Sequence, residues 1–168
     1  ETLGMLYSDH YPFRQVTTAR GVRRSPVHQH LAERGAVFGE TAGWERPNWF
    51  AKPGQAAEYA HDWHRQNWFE YQQAEHMAVR TGVGLFDMTS FGKIRVEGRD
   101  ALTFLQRMCG NNVDVDAGRI VYTQMLNARG GIECDLTVTR LSETSFFLVV
   151  PAATIRRDLA WLKRHVRD

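Results

Sequence analysis

The sequence predicts an α+β fold: an antiparallel sheet with flanking helices. Two observations lead there. Strand-like and helix-like runs come mixed rather than in strict alternation, and two strand-like runs are joined by only five residues, 127–131, a connection short enough for a hairpin.

Taken in order, residues 1 to about 54 read as irregular, because Pro12, Pro26, Pro47 and Pro53 interrupt any long element. One short helix is expected over residues 27–34, closed by Gly35 at the helix-ending position. The stretch Gly43-Trp44-Glu45-Arg46-Pro47-Asn48-Trp49-Phe50 is dense in aromatics and must lie against another surface, either this chain's own domain or a partner's. From about residue 56 the texture becomes regular. Residues 68–80 read as a helix and residues 93–97 as a strand with Ile94 and Val96 on one side. Asp100 is placed to cap a helix over residues 101–109, whose apolar stripe is Ala101, Leu105 and Met108. Ile120–Leu126 and residues 132–141 form the hairpin, with glycines in its loop where a positive φ is needed, and residues 146–150 add a strand. Thr154 then caps a last helix with Ile155, Leu159, Leu162 and Val166 on its apolar face.

Bulk properties narrow the function classes. With 168 residues, 43% of them hydrophobic and 24% charged, the chain is long enough to bury one core without disulfide or metal staples. The 21 basic and 19 acidic residues are interspersed; only Val22-Arg23-Arg24 and the last helix, with Arg156, Arg157, Lys163, Arg164 and Arg167, are locally basic. That pattern is a solvated helix face, so no nucleic-acid partner is expected. No apolar run approaches the roughly 18 residues of a membrane span, so no membrane partner is expected either. Cys109 and Cys134 fall at core positions with no metal-like spacing, which implies a reducing compartment (cytoplasm, or mitochondrial matrix in a eukaryote), with a disulfide as the alternative. Glu1 opens the chain without an initiator methionine, as expected of a piece of something longer.

The strand Ile132-Glu133-Cys134-Asp135-Leu136-Thr137-Val138-Thr139 carries the most chemistry. Its apolar residues Ile132, Cys134, Leu136 and Val138 fall on one face, with Glu133, Asp135, Thr137 and Thr139 on the other. The polar face either lies in water, which makes Asp135 a solvated acid, or lines a cleft where a carboxylate could bind or deprotonate a nitrogen heterocycle. His61 and His64, at i and i+3, are the nearest approach to a metal pair and read as surface residues; no metal is expected. No GxGxxG or phosphate loop is present in the 168 residues.

At Val83-Gly84-Leu85-Phe86-Asp87-Met88-Thr89-Ser90-Phe91 the sequence resembles the opening motif of the aminomethyltransferase (glycine cleavage T-protein) fold. The resemblance runs through Val96-Glu97-Gly98-Arg99-Asp100-Ala101, and is strongest over Tyr122-Thr123-Gln124-Met125-Leu126-Asn127, Gly130-Gly131-Ile132 and Asp135-Leu136. The front motifs Arg24-Ser25-Pro26, Gly35-Ala36-Val37-Phe38-Gly39-Glu40 and Gly43-Trp44-Glu45-Arg46-Pro47 are similar to the central region of dimethylglycine and sarcosine dehydrogenases. The resemblance implies a slice of an FAD- and tetrahydrofolate-dependent N-methylglycine dehydrogenase. Residues 1–54 would link an absent flavin domain to the folate domain, whose first part is residues 55–168 and whose second half is also absent. The partners implied are a small-molecule amine and folate.

The same resemblance places the family's folate-site aspartate on Asp135 and apolar folate contacts on Phe91 and Val149. Tyr122, on the paired strand, is either a wall of that site or a core tyrosine. Two departures stand out: Ser90-Phe91 replaces the histidine-methionine often found there, and Pro151 replaces an asparagine, removing a backbone donor. Two other functions compete with this reading, a stand-alone aminomethyltransferase serving a lipoyl carrier protein and a non-catalytic folate-fold module used for assembly.

Overall fold

The computed structural model describes residues 2–5, 7, 9 and 14–166; Glu1, Pro12 and Arg167 lie outside them. The chain divides into two compact units, residues 1–90 and 91–168. It is α+β, with every strand pairing antiparallel.

The first unit opens with a single helical turn, α1 (Thr2–Met5), and a short helix, α2 (His28–Glu33). Gly35 ends α2 at φ +83°, and a Cβ there would sit 2.5 Å from the Ala51 carbonyl oxygen, so glycine is required twice over. The front segment is not irregular as expected: β1 (Ala36–Thr41) and β2 (Trp44–Phe50) form a hairpin. Its two-residue turn, Ala42-Gly43, has both φ values positive (52° and 82°), the twist that suits a tight hairpin. Pro47 is tolerated inside β2 because a two-stranded sheet has only edges and the register slips beside it, between Val37 and Phe38.

The aromatic stretch finds its surface within the unit. Trp49 is 1% exposed beside Val37 and Ala51, with Tyr59, Trp68 and Tyr71 packed around them. Tyr71 belongs to α3 (Phe69–Thr81), and its ring lies 5.2 Å from that of Trp49. Glu45 is buried in the same unit. Its carboxylate accepts hydrogen bonds from Arg20 Nε (2.8 Å), Arg20 Nη2 (2.6 Å) and the Gly21 amide (2.6 Å), and the Arg20 guanidinium holds its carboxyl below the usual range.

The second unit is one four-stranded sheet with two helices. Its elements are β3 (Gly92–Glu97), α4 (Ala101–Met108), β4 (Ile120–Leu126), β5 (Ile132–Arg140), β6 (Ser145–Val150) and α5 (Ile155–His165), with strand order β3-β6-β5-β4. One face supplies the core: Met125, Cys134, Leu136, Val138, Phe146, Leu148 and Val150 meet Leu105 and Met108 of α4 and Leu162 of α5. Both helices therefore cover the same face. Gly92 lets α5 approach β3, since a Cβ there would lie 2.7 Å from Ile155 Cδ1 and from a Val150 methyl.

Three local expectations shift. Ile132 does not share the core face with Cys134: a bulge at Met125/Leu126 pairs Leu126 with Ile132 while Met125 pairs with Cys134, so Glu133 is the extra residue and Ile132 turns out, 68% exposed. The buried stripe of α5 is Asp158 and Leu162, whereas Leu159 and Val166 are exposed. Neither Asp100 nor Thr154 makes a side-chain cap; the Thr154 hydroxyl instead donates to Asp158 Oδ2 at 2.6 Å.

Candidate functional site

With α4 and α5 on one side, the other face of the four-stranded sheet is mixed: β3 and β5 present polar side chains there, while β6 presents Phe147 and Val149. The registers line up Tyr122 with Thr137, Thr137 with Val149 and Val149 with Lys93, one row across all four strands. At about 4.8 Å per strand, that row is about 14 Å wide. Asp135 sits in the adjoining row, directly opposite Gln124. Pairing of β3 with β6 ends at Gly92 and Val150, so Pro151 and Phe91 stand just past the ladder on the Asp135 side of the row. All four residues singled out in the sequence, Phe91, Tyr122, Asp135 and Val149, thus belong to this sheet and its margin.

Their exposures differ. Asp135 is exposed and Tyr122 is 61% exposed, while Phe91 and Val149 are half-buried. Tyr122 is therefore not a core tyrosine. The Asp135 carboxylate, on the same face, raises the phenol's pKa through hydrogen bonding and then charge, and Gln124 acts in the opposite sense. An acceptor beside a phenol and an apolar strip suits the edge and face of a planar heterocycle. Gln124 was given no role in the sequence, and counting back through the hairpin from Leu126 and Ile132 reaches Thr123 instead, because the bulge shifts the register by one residue.

Behind the site lies a buried carboxylate that the sequence pattern hid. Asp158 is 0% exposed and accepts hydrogen bonds from Thr154 Oγ1 (2.6 Å) and Arg157 Nε (3.2 Å). Cys134, the residue before Asp135, points the opposite way into this cluster. Burial, and then the Asp158 charge and hydrogen bond, push its thiol up to about 12. Cys109 is also buried, and burial pushes its thiol up to about 11. Both are free.

The histidines do other work. His61 stacks on Tyr59 at 5.8 Å and meets the edge of Trp68 at 5.2 Å. Among the described residues no group of three or more His, Cys, Asp or Glu could hold a metal ion, and no helix is long and apolar enough to cross a membrane.

A family model described as the GCVT N-terminal domain matches residues 27–168. A 4-methylaminobutanoate oxidase (formaldehyde-forming) of Paenarthrobacter nicotinovorans is 46% identical over 167 residues, covering 99% of this chain and 20% of that protein. The mitochondrial dimethylglycine dehydrogenase of Rattus norvegicus is 32% identical over 153 residues, covering 91% of this chain and 18% of the enzyme. The chain thus spans about a fifth of the length of these relatives. Among solved structures, the glycine cleavage system aminomethyltransferase T from Bartonella henselae superposes with a TM-score of 0.69 at 29% identity, over 86% of this chain and 36% of that one.

Proposed function

Because the chain belongs to the GCVT N-terminal domain family, we propose that it is the front of the folate domain of a flavin-dependent enzyme that oxidatively demethylates an N-methylglycine. The N-methyl amine chemistry named in two relatives, and the small share of each that the chain covers, support this reading. Residues 1–54 are then the link to a flavin domain elsewhere in the polypeptide, and residues 55–168 the first part of the folate domain. FAD, held by residues of that other domain, would supply the two-electron oxidation of the amine.

The observation that carries the folate part is the Asp135 carboxylate beside the Tyr122 hydroxyl on an open sheet face. Tetrahydrofolate supplies a ring-system nitrogen that captures the one-carbon unit as 5,10-methylenetetrahydrofolate. Asp135 accepts a hydrogen bond from that nitrogen and takes its proton. Tyr122 orients the carboxylate, and Val149 and Phe91 offer apolar contact to the pterin.

In the full-length protein, Asp135→Asn is expected to leave flavin reduction by the amine unchanged. Methylenetetrahydrofolate formation should fall by about 10²–10⁴-fold, with formaldehyde released instead. Wild-type yield of the folate product from that variant would return Asp135 to the role of a solvated acid. A second reading is favoured by the 46% identity to a formaldehyde-forming oxidase: the one-carbon unit leaves as formaldehyde without folate capture. On that reading the unaltered protein releases the same formaldehyde with or without added tetrahydrofolate.

A further inference from the structure

The open face of the second unit carries its acid and its bases at opposite corners. Side chains alternate along β3, so Ile94 enters the core while Lys93 and Arg95 stand on the face that Asp135 shares. A second row lies beside that of Tyr122 and Val149: Ile120 pairs with Thr139, Thr139 with Phe147, and Phe147 with Arg95. Between the acid on β5 and the two bases on β3 runs β6, whose Phe147 and Val149 are apolar and half-buried. Across three strands the face therefore passes from a carboxylate near a phenol, over an apolar strip, to a pair of cations.

With strands about 4.8 Å apart and a rise of about 3.4 Å per residue, Lys93 lies about 12 Å from Asp135 along the sheet and Arg95 about 17 Å. Both bases are exposed. Arg95 forms an ion pair with Glu97 at 2.9 Å, with side chains 61% and 55% exposed, and donates to Ser145 Oγ at 3.4 Å. An exposed pair of that kind is weak, so an incoming carboxylate can take over the guanidinium at small cost. Glu97 offsets only one of the two bases, and the β3 edge stays positive.

We propose that Lys93 and Arg95 hold the carboxylates of the glutamyl arm of the folate, a proposal that rests on the folate reading of Asp135. Tetrahydrofolate has three parts in series: a nitrogen heterocycle, an aminobenzoyl ring and a glutamate with two carboxylates. The face offers their complements in the same order. By ordinary bond lengths the extended arm reaches about 9–12 Å from its nitrogen to those carboxylates. The flexible stems of lysine and arginine cover the remainder. A bare pterin gains nothing from the β3 edge, whereas a dicarboxylate arm gains charge-assisted hydrogen bonds and a fixed direction along the sheet.

The test is anaerobic calorimetry on the natural full-length protein with two probes: tetrahydrofolate, and 6-methyltetrahydropterin, which has the heterocycle without the arm. The unaltered protein is expected to bind tetrahydrofolate more tightly. Lys93→Gln together with Arg95→Gln should weaken tetrahydrofolate by about tenfold, as for the loss of two exposed charge pairs, and leave the pterin constant unchanged. Lys93→Arg should keep the affinity of the unaltered protein, and added salt should weaken tetrahydrofolate more than the pterin. An equal loss for both probes would mean that the substitutions act through the fold and would overturn the proposal. Unchanged tetrahydrofolate affinity would overturn it too, leaving the two cations as guards of an edge strand against pairing. So would an unaltered protein that binds the two probes equally. The folate reading fails separately: an unaltered protein that binds neither probe removes the site and this contact with it, whereas a tetrahydrofolate constant indifferent to charge at positions 93 and 95 removes the arm contact alone.

Discussion

Adjacent residues on β5 face opposite solvents and have opposite tasks. Asp135 is exposed on the same face as the Tyr122 phenol, while Cys134 sits 1% exposed against a buried carboxylate. The thiol's pKa is raised on folding, from 9.0 to about 12, so the folded state binds its proton more tightly than the unfolded chain does. Its contribution to stability is therefore complete below pH 9.0 and is lost as pH rises toward about 12. Urea unfolding across that window should show wild-type stability falling with pH, and Cys134→Ala should flatten the slope even though the cavity it leaves lowers stability at every pH. An unchanged slope would remove Cys134 from the titration. The same burial predicts slow alkylation of Cys134 and Cys109 in the native protein. Both positions were legible from the strand and helix periods, because cysteine packs as a small apolar residue. Asp158 was not, since a carboxylate at a core position reads as an interruption until Thr154 and Arg157 are seen to satisfy it.

Elements were legible where a single period governs them. The stripe of Ala101, Leu105 and Met108 on α4 and the alternation of Cys134, Leu136 and Val138 on β5 are both buried as read. The β1–β2 hairpin escaped because its strands are short, one contains Pro47, and its turn uses Ala42 at a positive φ that alanine seldom adopts. Ile132 escaped because a bulge resets alternation without any glycine at the bulge itself. Asp135 was already a candidate from the alternation of its strand, and the resemblance added Phe91 and Val149; their common face with Tyr122 follows from register. Two substitutions test how the elements are held. Gly92→Ala places a methyl against Ile155 and Val150 and is expected to cost about 1–3 kcal/mol in urea unfolding of residues 91–168. Glu45→Gln leaves Arg20 without its ionic partner beneath the β1–β2 hairpin. A loss of about 2 kcal/mol is expected, discounted from a fully buried pair because the Arg20 side chain is 30% exposed. For Glu45 the folded pKa is lowered, so the stabilisation is present at neutral pH and is lost as pH falls into the acid range.

For the molecule as a whole, the helix-covered face of the second unit explains why its opposite face is open. An open face touches a ligand on one side only. The 168 residues alone should bind tetrahydrofolate more weakly than about micromolar by calorimetry, because pockets that hold such ligands bury most of their surface. They should bind FAD no better, having no phosphate-cradling loop of their own. Micromolar or tighter folate binding by the isolated chain would mean that the sheet face is a complete site. The two hydrophobic clusters carry a last consequence. One is built around Trp49 and the other around Leu105 and Phe146, and no residue is common to both. Two cores make two cooperative melting units, so a scanning calorimeter should record a sum of two transitions rather than one. Glu45→Gln then moves one peak and Gly92→Ala the other, and any single melting temperature quoted for this chain is an average over two events.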